Sequence, residues 1–149
     1  MPEREVPLPA LLPRTGQVID RCFRRAVAGH GLTPTSIGVL GALAEGGPVS
    51  HRELAARLGV VPATLTPVVD ALARAGSVRR ERADTDRRVV RVAITAAGRG
   101  RLADATAQVE RLFGERVPAP PAEHEPIVRE YLIALVGALG GPAPAGGGH

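Results

Sequence analysis

The 149-residue sequence predicts a mainly α-helical domain that carries one small β-hairpin. Three observations predict it. Apolar residues recur at helical spacing over most of the chain. The period shifts to two in one short region, Val78 to Ile94. Gly and Pro stand where each helical stretch stops. The length suits one domain, and a hydrophobic content of 44% suits a globular core. Only Phe23, Phe113 and Tyr131 are aromatic, so that core is built mostly from Ala, Val, Leu and Ile.

Each element has its own signals. Residues 1–9 carry three Pro and read as an extended N-terminal segment. From Leu11 to Val27 the apolar positions 11, 12, 18, 19, 22, 23, 26 and 27 keep helical spacing, and Gly29-His30-Gly31 ends the run. Thr33-Pro34 starts a second helix, with Thr as N-cap and Pro at the first helical position. Ile37, Leu40 and Leu43 supply its inward face, and Gly46-Gly47-Pro48 stops it. Ser50-His51-Arg52-Glu53 reads as a capping box, in which Ser50 caps the third amide and Glu53 reaches back. The helix it opens buries Leu54, Ala55 and Leu58 and stops at Gly59.

Pro62 opens the next helix behind Val61, a poor N-cap. Leu65, Val68, Val69 and Leu72 form its buried stripe, and Gly76 terminates it. Two short helices joined by the turn from Gly59 to Pro62 have helix-turn-helix spacing. Val78 to Arg82 and Val89 to Ile94 then read as two strands around a polar tip, Ala83 to Arg87. A hairpin directly after a helix-turn-helix is a winged helix, predicted here over 32–101. Thr95 caps a helix that runs to about Val117, with Gly98 and Gly100 as points where it could bend. Residues 102–117 are its linking part. After the break Pro118-Ala119-Pro120-Pro121, a last helix over about Ala122 to Leu139 places Val128, Tyr131 or Leu132, Leu135 and Leu139 on one face. The Gly/Pro/Ala-rich tail 140–149 reads as disordered.

The charge is concentrated. The formal net charge is +4, and every basic residue is Arg. Between Arg74 and Arg101 stand nine Arg against three acids, whereas the rest of the chain has 10 Arg against 12 acids. Such a segment is the footprint of a polyanionic partner. The absence of Lys and Asn reflects codon composition in a GC-rich genome and carries no functional meaning.

Other classes lack their signals. Cys22 is the single cysteine, which excludes an intramolecular disulfide and any zinc site with two cysteine ligands from one chain. His30, His51, His124 and His149 show no zinc-pair spacing, so no metal is expected. No Gly-rich phosphate loop, Gly-x-Ser-x-Gly or His-x-x-x-His occurs, so neither an enzyme nor a cofactor is indicated. The longest apolar stretch, Ile127 to Leu139, is short and holds Arg129 and Glu130, so no membrane partner is expected. The start of the chain does not read as a secretion signal, and a cytoplasmic location is expected.

Four segments in order resemble the MarR family of bacterial transcriptional regulators. They are Leu32-Thr33; Glu53-Leu54-Ala55 with Leu58-Gly59-Val60; Thr64 and Thr66 with Val69-Asp70, Leu72 and Gly76; and Asp86-Arg87-Arg88 with Ile94-Thr95 and Gly98. The resemblance implies a homodimer whose subunits interleave terminal helices, here 10–31 and 118–139. It implies double-stranded DNA as partner. Each recognition helix would enter a major groove and each wing would follow the adjacent minor groove. Half-sites would lie about 10 bp apart in a pseudo-palindromic operator. The implied function is repression, released by a small apolar or phenolic ligand. The alternatives are a redox-sensing regulator acting through Cys22 and a winged helix used for protein contact.

The resemblance and the helical spacing together select the site residues. Leu65, Val68 and Leu72 face inward, leaving Pro62, Ala63, Thr66, Pro67 and Asp70 outward and Thr64 at the edge. Thr64 and Thr66 are expected to meet phosphates or bases, or to pack a methyl on thymine. Pro67 stands where many family members carry Arg or another polar residue. It removes the amide that would bond the Ala63 carbonyl, so a kink or a tight first turn is expected. Thr64-Leu65-Thr66-Pro67 is similar to the organic-hydroperoxide-sensing branch of the family. Arg88 is expected in the minor groove, oriented by Asp86, with Arg80, Arg82 and Arg87 neutralising phosphates. Ser50, His51 and Arg52 start a helix whose amides could meet a phosphate, though Ser50 reads equally as a structural cap. Cys22 shares a stripe with Val18, Ile19, Phe23 and Ala26 and reads as a small buried hydrophobe. Arg21, Arg24 and Arg25 are the neighbours that a reactive thiol would need.

Overall fold

A computed structural model describes residues 3–140. A 3-10 turn over Glu3–Glu5 leads into α1 (Leu8–Ala28), followed by α2 (Pro34–Gly46), β1 (Val49–Ser50), α3 (His51–Leu58) and α4 (Pro62–Arg74). Strands β2 (Val78–Arg82) and β3 (Val90–Ile94) precede α5 (Ala96–Arg116) and α6 (Glu125–Leu139). The strands make one antiparallel sheet in the order β1-β3-β2, with Val49 opposite Val92 and Arg80 opposite Val92. The chain divides into two compact units between Leu112 and Phe113.

Most starts and stops follow the local chemistry. The Thr33 hydroxyl accepts from the Ser36 amide at 3.1 Å, which caps α2 ahead of Pro34. Ser50 does the same for the Glu53 amide at 3.2 Å. Glu53 does not complete a capping box. Its carboxylate pairs forward with Arg57 at 2.8 Å, one helical turn on, where an ion pair is available. Gly59 closes α3 at φ 65°, a left-handed position suited to glycine, and the turn to α4 follows at once.

Three sequence expectations change. The segment 1–9 is not extended throughout: α1 already starts at Leu8, because Pro7 and Pro9 suit the first turn of a helix. Strand β1 carries no sequence signal, since two residues are too few for a period; Val49 joins the sheet by pairing with β3. The last helix starts at Glu125 rather than near Ala122, after a turn over residues 122–124. The tail, from residue 141 on, lies outside the described residues.

In the first unit Val27, Val39, Leu40, Leu43, Leu54, Leu65 and Val69 are fully buried and join α1 to α4 around one apolar core. On β3 both Val92 and Ile94 are buried as the alternation requires, and Ala93 on the other face is buried as well. The start of α5 is held tightly. Thr95 donates from Oγ1 to the Gly76 carbonyl at 2.6 Å and accepts the Gly98 amide at 3.0 Å. A Cβ at Gly98 would lie 2.0 Å from the Ser77 carbonyl oxygen. Gly98 is therefore a close-packing residue rather than a hinge. Nothing lies within 4 Å of a Cβ at Gly100.

Arg101, one turn further along α5, donates from Nε to the His30 carbonyl at 3.0 Å and from a terminal nitrogen to the Gly31 carbonyl at 3.0 Å. Its other terminal nitrogen reaches the Ser77 hydroxyl at 3.1 Å. The guanidinium fork thus satisfies carbonyls left over beyond the C-terminus of α1 and ties that loop to the approach to β2. This arginine belongs to the basic segment by sequence and to the framework by structure.

The second unit contains α6, and none of its residues is buried. Ile127, Leu132, Ile133, Val136 and Leu139 are all more than half exposed. In the first unit α1 likewise exposes Leu8 and Val18 and buries only Val27 fully.

Candidate nucleic-acid interface

The interface is built on α3 and α4, whose axes differ in direction by 110°. That angle lies within the usual range for a helix-turn-helix, about 90–120°. Leu65, Val69 and Leu72 bury one side of α4, which leaves Ala63, Thr64, Thr66 and Pro67 exposed on the other. Val68 is half-buried. The helix runs unbroken through Pro67 from Pro62 to Arg74. The carbonyl that Pro67 cannot serve belongs to Ala63, an exposed residue, so solvent can serve it instead.

His51 and Thr66 meet across the turn. The His51 ring places Nε2 2.9 Å from the Pro62 carbonyl oxygen and 3.3 Å from Thr66 Oγ1. A carbonyl only accepts, so Nε2 carries the proton. Thr66 donates its own hydroxyl to the same carbonyl at 3.2 Å. Both side chains, expected to face DNA, are therefore engaged within the protein, and their contact joins the first turn of α3 to the second turn of α4. Arg52 is exposed and carries no ion pair among the described residues. Ser50 is a cap, as its hydroxyl bond to Glu53 shows.

The wing sorts its arginines into two groups. Arg80 is paired with Asp70 of α4, so the expected phosphate neutraliser braces the recognition helix against β2. Arg79 pairs with Glu81 at 3.2 Å. Arg82 donates to the Arg87 carbonyl at 2.8 Å and closes the hairpin tip. Arg87, Arg88 and Arg91 are exposed, and their guanidinium groups have no ion pair among the described residues. Asp86 does not orient the Arg88 side chain. Its Oδ1 accepts from the Arg88 amide at 2.9 Å, while its own carbonyl accepts from Val89 at 3.0 Å. The carboxylate shapes the tip backbone, as aspartate does in tight turns, and leaves the Arg88 guanidinium projecting freely.

Cys22 is half-buried, not buried as expected, because the α1 face around it is open: Val18 is 51% exposed and Ile19 39%. Among the described residues no group of three or more His, Cys, Asp or Glu is arranged to hold a metal ion. No single helix among them is long and apolar enough to cross a membrane. Sequence reasoning missed the fixing roles of Asp70 and Arg101. Each depends on a partner distant in sequence, and neither has a local signal.

A family model described as the MarR family matches residues 30–89. The transcriptional regulator TtmR of Methylorubrum extorquens, of helix-turn-helix type, is 39% identical over 80 residues, which is 54% of this chain and 41% of that protein. The chain thus matches about two-fifths of that relative's length. Among solved structures, CouR from Rhodococcus jostii bound to p-coumaroyl-CoA is 29% identical at a TM-score of 0.71, over 90% of this chain and 93% of CouR. The repressor CouR bound to a 23-mer DNA duplex is 28% identical at a TM-score of 0.71, over 94% of each chain. A mutant of MarR from E. coli complexed with operator DNA is 26% identical at a TM-score of 0.71, over 88% of this chain and 94% of that one.

Proposed function

The chain belongs to the MarR family of winged helix-turn-helix transcriptional regulators, which are not enzymes, and we propose that it acts as a homodimeric repressor of its own target promoter. One observation carries the reading: α4 exposes a side flanked by a wing whose Arg87, Arg88 and Arg91 guanidinium groups lack internal ion pairs. Unneutralised cations at the tip of a hairpin, here Arg87 and Arg88, and along its strand, here Arg91, suit a phosphate backbone and a narrow minor groove. The exposed side of α4 suits a major groove.

Residues 10–31 and 118–139 serve as dimerisation helices in this reading. The open apolar faces of α1 and of α6 support it separately, since each leaves large hydrophobic side chains in solvent in a single chain. Two readers in a dimer address two half-sites, about one helical turn apart, of a pseudo-palindromic operator. A small apolar or phenolic ligand then releases the DNA. The p-coumaroyl-CoA bound to CouR carries a phenolic acyl group, which supports the phenolic part of that class. By linkage, ligand and operator weaken each other by the same factor.

The test is binding to a duplex from its own upstream region, titrated with NaCl, for wild type and Arg88→Ala. The expected result is tight binding with a steep salt slope, weakened by the substitution. Weak binding without sequence preference, unaffected by Arg88→Ala, would overturn the reading.

A further inference from the structure

We propose that α4 identifies its half-site through the C5-methyl groups of thymine, with the Thr66 methyl and the Pro67 ring as the reading surface. The inference deepens the proposed function and rests on it. Ala63, Thr66, Pro67 and Asp70 stand at the spacing that lines up one stripe of a helix. The stripe has lost its polar capacity to internal bonds. Asp70 is held by Arg80. The Thr66 hydroxyl is turned back along the helix to the Pro62 carbonyl at 3.2 Å and lies 3.3 Å from the His51 ring. A threonine has two branches on Cβ, so fixing the hydroxyl there leaves Cγ2 as its outward group. Ala63 and Pro67 have no polar side-chain atoms, and both are exposed.

The stripe therefore offers a methyl, a second methyl and a ring. It has no free guanidinium or amide for the paired hydrogen bonds that select guanine or adenine. The thymine methyl is the apolar feature of the major-groove edge, and it is the feature such a surface can distinguish. His51 is a positioning residue in this scheme, because its one Nε2 proton, shared between the Pro62 carbonyl and Thr66 Oγ1, supports the rotamer that the Thr66 bond to Pro62 sets and that turns the methyl outward. Thr64 is exposed, one step round the helix, and its hydroxyl has no partner among the described residues, so it is available to a phosphate.

The experiment selects bound sequences from a random duplex pool with the full chain. It then measures one selected duplex made with thymine and again with uracil at the half-site positions, for wild type and Thr66→Ser. Each lost methyl contact is worth about fourfold in affinity. With two half-sites, uracil is expected to weaken the wild type on the order of tenfold. In Thr66→Ser that uracil penalty shrinks, since the protein methyl is already gone. An equal penalty in both proteins, or none in the wild type, would overturn the inference while sequence-specific binding stood. A pool that yields no enriched sequence would overturn the proposed function, and this inference with it.

Discussion

His51, the first residue of α3, donates from Nε2 to the carbonyl oxygen of Pro62, the first residue of α4, at 2.9 Å. One ring thus spans the turn of the helix-turn-helix and sets the start of one helix against the start of the other. Replacing His51 by Ala removes that bond. A hydrogen bond of this kind contributes about 1 kcal/mol. The expected result is a melting temperature lower by roughly 2–4 °C. A variant that melts with the wild type would show that the turn is held by core packing alone.

Gly98 and Gly100 are expected to respond in opposite directions to the same substitution. Gly98→Ala drives a methyl to within 2.0 Å of the Ser77 carbonyl oxygen, and neither backbone can move without disturbing the Thr95 cap. Overpacking of this sort costs about 1–3 kcal/mol. Gly100→Ala meets nothing within 4 Å, and the gain in helix propensity is up to about 1 kcal/mol. Thermal or urea unfolding of the two variants checks the sign of each. If both behaved alike, the close approach at Gly98 would not matter to stability.

Arg80 and Asp70 form an exposed pair, which contributes under about 1 kcal/mol to folding. Its effect on DNA is expected to be larger. Arg80→Ala leaves a bare carboxylate beside the phosphates, and binding should weaken by about tenfold, or about 1.4 kcal/mol. Adding Asp70→Asn should recover part of the loss, because the repulsion disappears with the charge. Affinities of the two single variants and the double variant at low salt measure this coupling. Strictly additive effects would mean that Arg80 meets phosphate directly.

The apolar face of α6 is expected to carry the contact between subunits. Ile133 is 65% exposed and Val136 73%, in a helix with no buried residue. Burying two such side chains against a partner copy contributes about 1.5–3 kcal/mol each. Ile133→Asp with Val136→Asp should therefore weaken the dimer on the order of a hundredfold or more. Light scattering on a sizing column is expected to show a dimer for wild type and a monomer for the variant. Operator binding should fall in parallel, since a monomer reaches one half-site. A variant that remains a dimer would move the subunit contact away from α6.

The winged helix-turn-helix was legible in the sequence because its signals are short-range. Thr33 and Ser50 cap helices through amides three residues away, and Gly59 ends α3 with a conformation that it adopts locally. The hairpin declares itself by a change of period within a few residues. The residue types of the interface were readable for the same reason, since helical spacing alone puts Ala63, Thr66 and Pro67 on the outer side of α4.

Which of those groups remain free to bind was decided by packing. His51 meets Thr66 across 15 residues, Arg80 meets Asp70 across 10, and Arg101 meets His30 across 71. Nothing in the local pattern distinguishes a paired arginine from an unpaired one. The distinction depends on which backbone turns bring an acceptor within about 3 Å, and hydrogen bonds and ion pairs weaken steeply beyond that. The sequence therefore specified which residues of α4 would stand on its outer side. The crossing of α3 and α4 set His51 against Thr66, and the brace from β2 occupied Arg80, whereas the guanidinium groups of Arg87 and Arg88 at the hairpin tip have no ion pair among the described residues.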